Sequence, residues 1–270
     1  MRGRGLMGAG GALVALLVAC ALLSLLWTPH DVTAIDVSAR LLPSSFSHPL
    51  GTDQLGRDIL SMLIVGARTS LAVSVLAVGA AILIGVPIGL AAAARPGVAD
   101  ELLMRSGDVI FAFPSLMTAI LLAAVLGPGA SNAIVAIAIF NIPVFARVAR
   151  GGARGLWTRD FVSAARLSAK GDARISIEHI LPNITALIVV QATIQFSLAL
   201  IAEAGLSYVG LGVQPPVPSW GRMLAEAQTL AGTAPRLAIL PGLAILLAVL
   251  GFTLLGDGLR DRLDRRGTGA

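Results

Sequence analysis

The chain has 270 residues, 56% of them hydrophobic and 13% charged, with a formal net charge of +5. A soluble domain carries roughly 25% charged residues, so this chain lacks the polar surface to cover itself in water, and lipid is its natural solvent. The basic residues flank apolar runs, the pattern that orients a chain in a membrane, and this sets aside nucleic acid as a partner.

A membrane helix needs roughly 20 mostly apolar residues, and the sequence predicts six such spans in one all-α domain covering 1–270. The first is 6–27. Arg2 and Arg4 precede it, and Leu17-Val18-Ala19-Cys20 looks like a lipoprotein cleavage box. The apolar run continues through Leu22, Leu23, Leu25 and Leu26, where a cleaved chain turns polar, so an uncleaved helix is expected. An outer loop, 28–68, follows, with a short interfacial helix expected over its last ten residues. The second span is 69–94. An uncharged stretch, 109–146, is too long for one crossing and contains Gly127-Pro128-Gly129, a strong turn signal. It predicts a hairpin of spans 109–126 and 130–148. A long basic loop, 147–183, leads to spans 184–206 and 237–256. Fifteen of the 20 basic residues then fall on one side. The excess marks that side as cytoplasmic, with both termini.

Two loops carry the candidate functional residues. In the outer loop, Gly51, Thr52, Asp53, Gly56, Arg57 and Asp58 combine glycines for tight turns with side chains that cap a following helix. Residue pattern alone favours a structured anchor for the second span. In the inner loop, Asp160 can cap a helix carrying Phe161, Ala164 and Ala165, Gly171 interrupts it, and Asp172 can cap a second piece carrying Ile175, Ile177 and Ile180. Pro182 starts the fifth span. Pattern alone leaves two readings equal: docking to a cytoplasmic partner, or lying on anionic lipid. Glu203 is the acidic residue well inside an apolar span, where a charge costs roughly 2.5–3.5 kcal/mol at the helix centre. Its position suggests an outer gate or binding-protein contact, or equally a paired structural group.

No phosphate-binding loop is present, so ATP is not expected on this chain. No catalytic or metal-binding signature is apparent: Cys20 is the single cysteine, and His30, His48 and His179 lie far apart in sequence. No span contains a histidine, which argues against a histidine-based intramembrane enzyme. An ion-coupled secondary transporter usually shows midplane charges and internal repeats. Here only Glu203 is a candidate, and no repeat is visible.

Ser163-Ala164-Ala165-Arg166 followed by His179-Ile180-Leu181-Pro182-Asn183 resembles the EAA loop of bacterial ABC importer permeases. Five further segments occur in the order seen in the dipeptide and oligopeptide (DppC/OppC) subgroup. They are Gly51 to Asp58, Ala112-Phe113-Pro114-Ser115, Leu211 to Pro216, Pro218-Ser219-Trp220-Gly221 and Leu255 to Asp261. The resemblance implies a type I importer permease that forms half of a pore in the bacterial inner membrane. Its implied partners are a second permease subunit, ATPase subunits or a fused ATPase that hold ATP and magnesium, and an extracytoplasmic substrate-binding protein. It implies a coupling element built from Ala164, Ala165, Arg166, Lys170, Gly171, Asp172, Ile180, Leu181 and Pro182. It also places Gly51, Thr52, Asp53, Gly56, Arg57 and Asp58 on the binding-protein side. Peptides are the implied cargo, although relatives resembling this subgroup carry nickel chelates and other small solutes. The family glutamate is Ser163 here and the family glycine is Ala169, which shifts the expected helix break toward Gly171.

Overall fold

The computed structural model describes residues 2–112 and 114–267. Among them the regular structure is helical, with one isolated bridge between Thr52 and Asp58. Five helices are long and apolar enough to cross a membrane, or six if one bent pair counts as a single span.

Helix α1 (Arg2–Leu23) packs along α10 (Arg236–Gly267) at the edge of the bundle. Helix α2 (Ile59–Ala94) is the central element and packs most extensively on α5 (Ala130–Arg154). Its 36 residues measure about 54 Å at 1.5 Å per residue, well beyond the roughly 30 Å of hydrocarbon. The expected interfacial piece is therefore the first part of α2 itself. Asp58 starts it by accepting the Ser61 N–H at 2.8 Å, which satisfies one of the orphan donors of the first turn. The α2–α5 crossing depends on small residues. A Cβ at Gly85 would stand 2.4 Å from the Ile142 carbonyl oxygen, and one at Gly89 would stand 2.2 Å from that of Ala146. This four-residue spacing of glycines lets two membrane helices touch backbone to backbone.

The expected third span, 109–126, is not one straight crossing. Residues 109–111 end α3 (Val98–Phe111), and α4 (Ser115–Leu126) leaves at 90°. Pro114 at the break has extended geometry (φ −56°, ψ 134°) and no N–H to continue the ladder. Helix α3 carries Asp100, Glu101, Arg105 and Asp108, which explains why it does not sink into lipid as an isolated span. It is tied to α5 instead: Arg150 grips Asp100 with two nitrogens, one at 2.6 Å, and Arg147 pairs with Asp108. Helix α4 has 12 residues, about 18 Å, and is too short to cross alone.

Beyond α5 come α6 (Asp160–Leu167), α7 (Asp172–Ile175), a π-helical turn (Ser176–Ile180) and α8 (Leu181–Tyr208); the last three run on as one helix. The π turn has a local cause. Pro182 lacks an N–H for the usual i−4 bond and crowds the preceding turn, so the helix widens there. Helix α9 (Trp220–Ala227) returns to pack on α8, α10 and the start of α2.

Candidate functional site

The two ends of α2 carry the two candidate regions. At its C-terminal end, Arg95 lies 3.6 Å from Asp172, which joins α2 to the 155–180 segment. Helix α6 is two-sided. Val162 and Ala165 are buried in the main apolar core, whereas Phe161, Ala164, Arg166 and Leu167 face outward, Leu167 with 91% of its surface exposed. Ala165 therefore braces the loop from inside, and a bulky charge there would act on folding before it acted on docking. Of the predicted coupling residues, Ile180 is buried, Leu181 half-buried, and Pro182 and Gly171 exposed.

Helix α6 ends at Leu167, and the chain turns away at Ala169. The Ala169 N–H donates to the Arg166 carbonyl at 2.9 Å and the Lys170 N–H to the Ala165 carbonyl at 3.2 Å, the paired bonds of a Schellman motif. Ala169 has φ +56°, the left-handed region that glycine enters at least cost. The break thus stays at Ala169 and does not shift to Gly171, which sits at φ −75°. The motif's hydrogen bonds are backbone bonds, so they fix the break wherever the tertiary fold can hold a Cβ in that conformation.

Past the break, charge organises the surface. Lys170 Nζ donates to Glu178 at 2.6 Å, and Arg174 Nε donates to its other oxygen at 2.5 Å. Glu178, in the π turn ahead of α8, thus takes one cation on each carboxylate oxygen. Lys170 also reaches His179 Nε2 at 3.0 Å. Asp172 stands between Arg95 and Arg166, the latter at 3.9 Å. A groove of about 340 Å³ separates Pro87, Leu90 and Ala94 of α2 from Ala173, Ile177 and Leu181.

At the N-terminal end of α2 the predicted outer residues turn inward. Thr52, Asp53, Arg57 and Asp58 are all buried. Thr52 Oγ1 donates to the Ala39 carbonyl and accepts the Leu42 N–H at 2.8 Å. Asp53 accepts the backbone N–H groups of Leu55 and Arg57, each at 2.8 Å, and the Arg57 Nε–H at 2.7 Å. Arg57 also donates to Glu226 of α9 at 2.5 Å. Gly51 and Gly56 both have φ +78°, and a Cβ at Gly56 would meet the Asp36 carbonyl oxygen at 1.8 Å. These six residues form an internal knot that anchors α2. Their polar side chains are engaged inside the fold, Asp53 with Arg57, Arg57 with Glu226, Thr52 with Ala39 and Leu42, and Asp58 with Ser61 and His48.

Glu203 is fully buried at the meeting of α2, α8 and α9. Ser207 Oγ donates to its Oε1 at 2.8 Å, and Oε2 has no hydrogen-bond partner among the described residues. It neither snorkels nor forms an ion pair there. The adjoining Trp220 is also buried; its Nε1–H donates to the Leu63 carbonyl at 3.1 Å and its backbone N–H to Ser70 Oγ at 3.2 Å. Ser219 caps α9 on Arg222, so the quoted 218–221 segment locks α9 against α2. Phe113 of the other quoted segment lies outside the described residues.

Sequence reasoning missed Leu167, Glu226 and the Arg95–Asp172 link. Helical spacing places Leu167 opposite Val162 and Ala165, which was a usable signal. The two long-range pairs left none, since Arg57 and Glu226 lie 169 residues apart.

A family model described as "binding-protein-dependent transport system inner membrane component" matches residues 85–268. The glutathione transport system permease protein GsiD of Pectobacterium atrosepticum is 45% identical over 258 residues, covering 95% of this chain and 85% of that protein. The di/tripeptide transport system permease protein DppC of Pseudomonas aeruginosa is 43% identical over 262 residues, covering 94% and 86%. Among solved structures, the MetNI methionine ABC transporter in inward-facing conformations superposes with a TM-score of 0.58 at 19% identity. The match covers 76% of this chain and 95% of that one and speaks to the fold alone.

Proposed function

Because this chain belongs to the family of binding-protein-dependent transport system inner membrane components, we propose that it is the permease half of an ATP-driven importer of short peptides, of di- to tripeptide size. The names of its relatives support the cargo class: glutathione in one, di- and tripeptides in another.

The observation that carries the coupling role is the two-sided α6. It is anchored by Val162 and Ala165 and offers Phe161, Ala164 and Leu167 outward beside Arg166. An apolar patch rimmed by positive charge suits a cleft on a partner protein. In this reading the α6 end of the bundle is cytoplasmic, with both termini, and an ATPase subunit seats α6. ATP and magnesium are held on that subunit. A second permease completes the pore, and a binding protein delivers cargo at the α9 end.

Movement of α6 would pass along two connections. One is the ion-pair bridge through Asp172 to Arg95 at the end of α2. The other is the unbroken 172–208 helix, which reaches Glu203 and the α9 contact. For ATP to drive the pore, each nucleotide state must favour one arrangement of these contacts over another.

The test is reconstitution of the complete transporter in vesicles, with ATP hydrolysis measured as its binding protein is loaded with glutathione, dipeptides or a nickel chelate in turn. Stimulation by the peptides is expected. Stimulation by the chelate alone would overturn the peptide assignment, and intact transport without α6 contact to the ATPase would overturn the coupling assignment.

A further inference from the structure

We infer that His30, His48 and Asp58 form a binding site for a divalent transition metal of the zinc class, at the first turn of α2. The sequence gives no hint of it, because the two histidines and the aspartate are spread over 29 positions and match no spaced metal signature. The fold brings them together.

The geometry is that of a partly assembled coordination shell. His48 Nδ1 stands 3.1 Å from Asp58 Oδ1, and His30 Nδ1 stands 3.8 Å from Asp58 Oδ2. All three ligand atoms lie within 4.8 Å of one another. A tetrahedral zinc ion with nitrogen and oxygen ligands at about 2.0–2.2 Å holds those ligands about 3.3–3.5 Å apart. The observed separations bracket that value. The two imidazole rings tilt toward each other with centroids 4.5 Å apart, so both Nδ1 atoms aim at the same carboxylate.

A second observation points to a missing partner. His30 Nδ1 is enclosed and makes no hydrogen bond among the described residues. A buried polar nitrogen without a partner is costly, and a cation between it and Asp58 supplies one.

The ligands are also held in place before any ion arrives. The His30 backbone N–H donates to Ser61 Oγ at 2.9 Å, and that hydroxyl donates to Asp58 Oδ2 at 2.7 Å. The His48 carbonyl accepts the N–H groups of Ser45 and Gly51 at 2.9 and 2.8 Å. Such outer contacts orient metal ligands and raise affinity. The His30 side chain is 40% exposed, so the outer edge of the ring meets solvent.

Two imidazoles and one carboxylate favour zinc-class ions over magnesium or calcium, which prefer all-oxygen shells. Each Nδ1 binds through its lone pair while Nε2 keeps its proton. The bound ion would cross-link two points of the outer loop, His30 and His48, to Asp58 at the start of α2.

The site is tested on the full-length chain, purified with a tag lacking histidine, stripped with chelator and titrated calorimetrically with zinc or magnesium chloride. One zinc per chain is expected, with no comparable magnesium binding. His30→Ala and His48→Ala should each weaken zinc at least about tenfold, while His179→Ala leaves it unchanged. Cobalt in place of zinc should give visible absorption bands of tetrahedral type in the wild type and in His179→Ala, but not in His30→Ala or His48→Ala. Equal thermal unfolding of the metal-free variants would confirm that they fold. Zinc binding that survives both substitutions, or is lost in His179→Ala, would overturn the proposal, as would no stoichiometric binding to the wild type.

Discussion

The segments at the two ends of α2 are built from similar materials and do opposite things with them. Each is rich in charge, contains a residue in the left-handed region and leads into a long apolar helix. At the N-terminal end, Thr52, Asp53, Arg57 and Asp58 find their polar partners inside the fold, among them Glu226 for Arg57 and Ser61 for Asp58, and all four are buried. At the C-terminal end, Lys170, Glu178 and Arg174 pair on the surface, and Leu167 is left bare. The first arrangement fixes a helix; the second keeps a surface free to meet another protein. Charge-rich sequence thus gives no guide to which role a loop plays, because the role depends on whether the charges find partners inside the fold.

Three substitutions would sharpen or break this contrast. The largest stability effect is expected from Arg57→Ala, which leaves the buried Asp53 without its cation, while Glu226 keeps Arg222 at 3.1 Å. Breaking a buried pair by removing one partner costs about 3–5 kcal/mol, so the purified protein should unfold at a markedly lower temperature in detergent. An unchanged melting temperature would show that the knot does not anchor α2.

Leu167→Asp should behave in the opposite way. The side chain is 91% exposed, and substitutions at such positions usually move stability by no more than about 0.5 kcal/mol. Peptide uptake in reconstituted vesicles should nonetheless fall at least about tenfold, through loss of the ATPase contact. Normal uptake would remove α6 from the docking surface.

The smallest effect is expected from Ala169→Gly. An alanine at φ +56° carries roughly 1–2 kcal/mol of strain relative to glycine, partly offset by the greater freedom of glycine in the unfolded chain. A net gain of about 1 kcal/mol or less should appear as a small rise in melting temperature. A loss of stability would mean that the Ala169 methyl makes a compensating contact.

Much of the architecture was legible beforehand. The apolar runs mark the long helices, and the glycine-proline-glycine run lies between α4 and α5. The bend between α3 and α4 was hidden because its cause is tertiary. Residues 109–111 are apolar and continue the run of α4, but the charges before them pair with Arg147 and Arg150 of α5, which ties α3 to that helix. The inward turn of the outer loop was only half readable. Its glycines announced tight turns, while the pairing of Arg57 with Glu226 needed α9 to come back across the molecule.

The sequence by itself determined the solvent, the helical class and the approximate spans. These follow from local facts: apolar content per turn, the missing N–H of proline, and the charge flanking each span. Only the tertiary structure decided which charged residues would be buried, which face of α6 would be bare, and that His30, His48 and Asp58 would meet. Those outcomes depend on contacts between distant parts of the chain. Such contacts arise only when helices pack closely, as α2 and α5 do through Gly85 and Gly89.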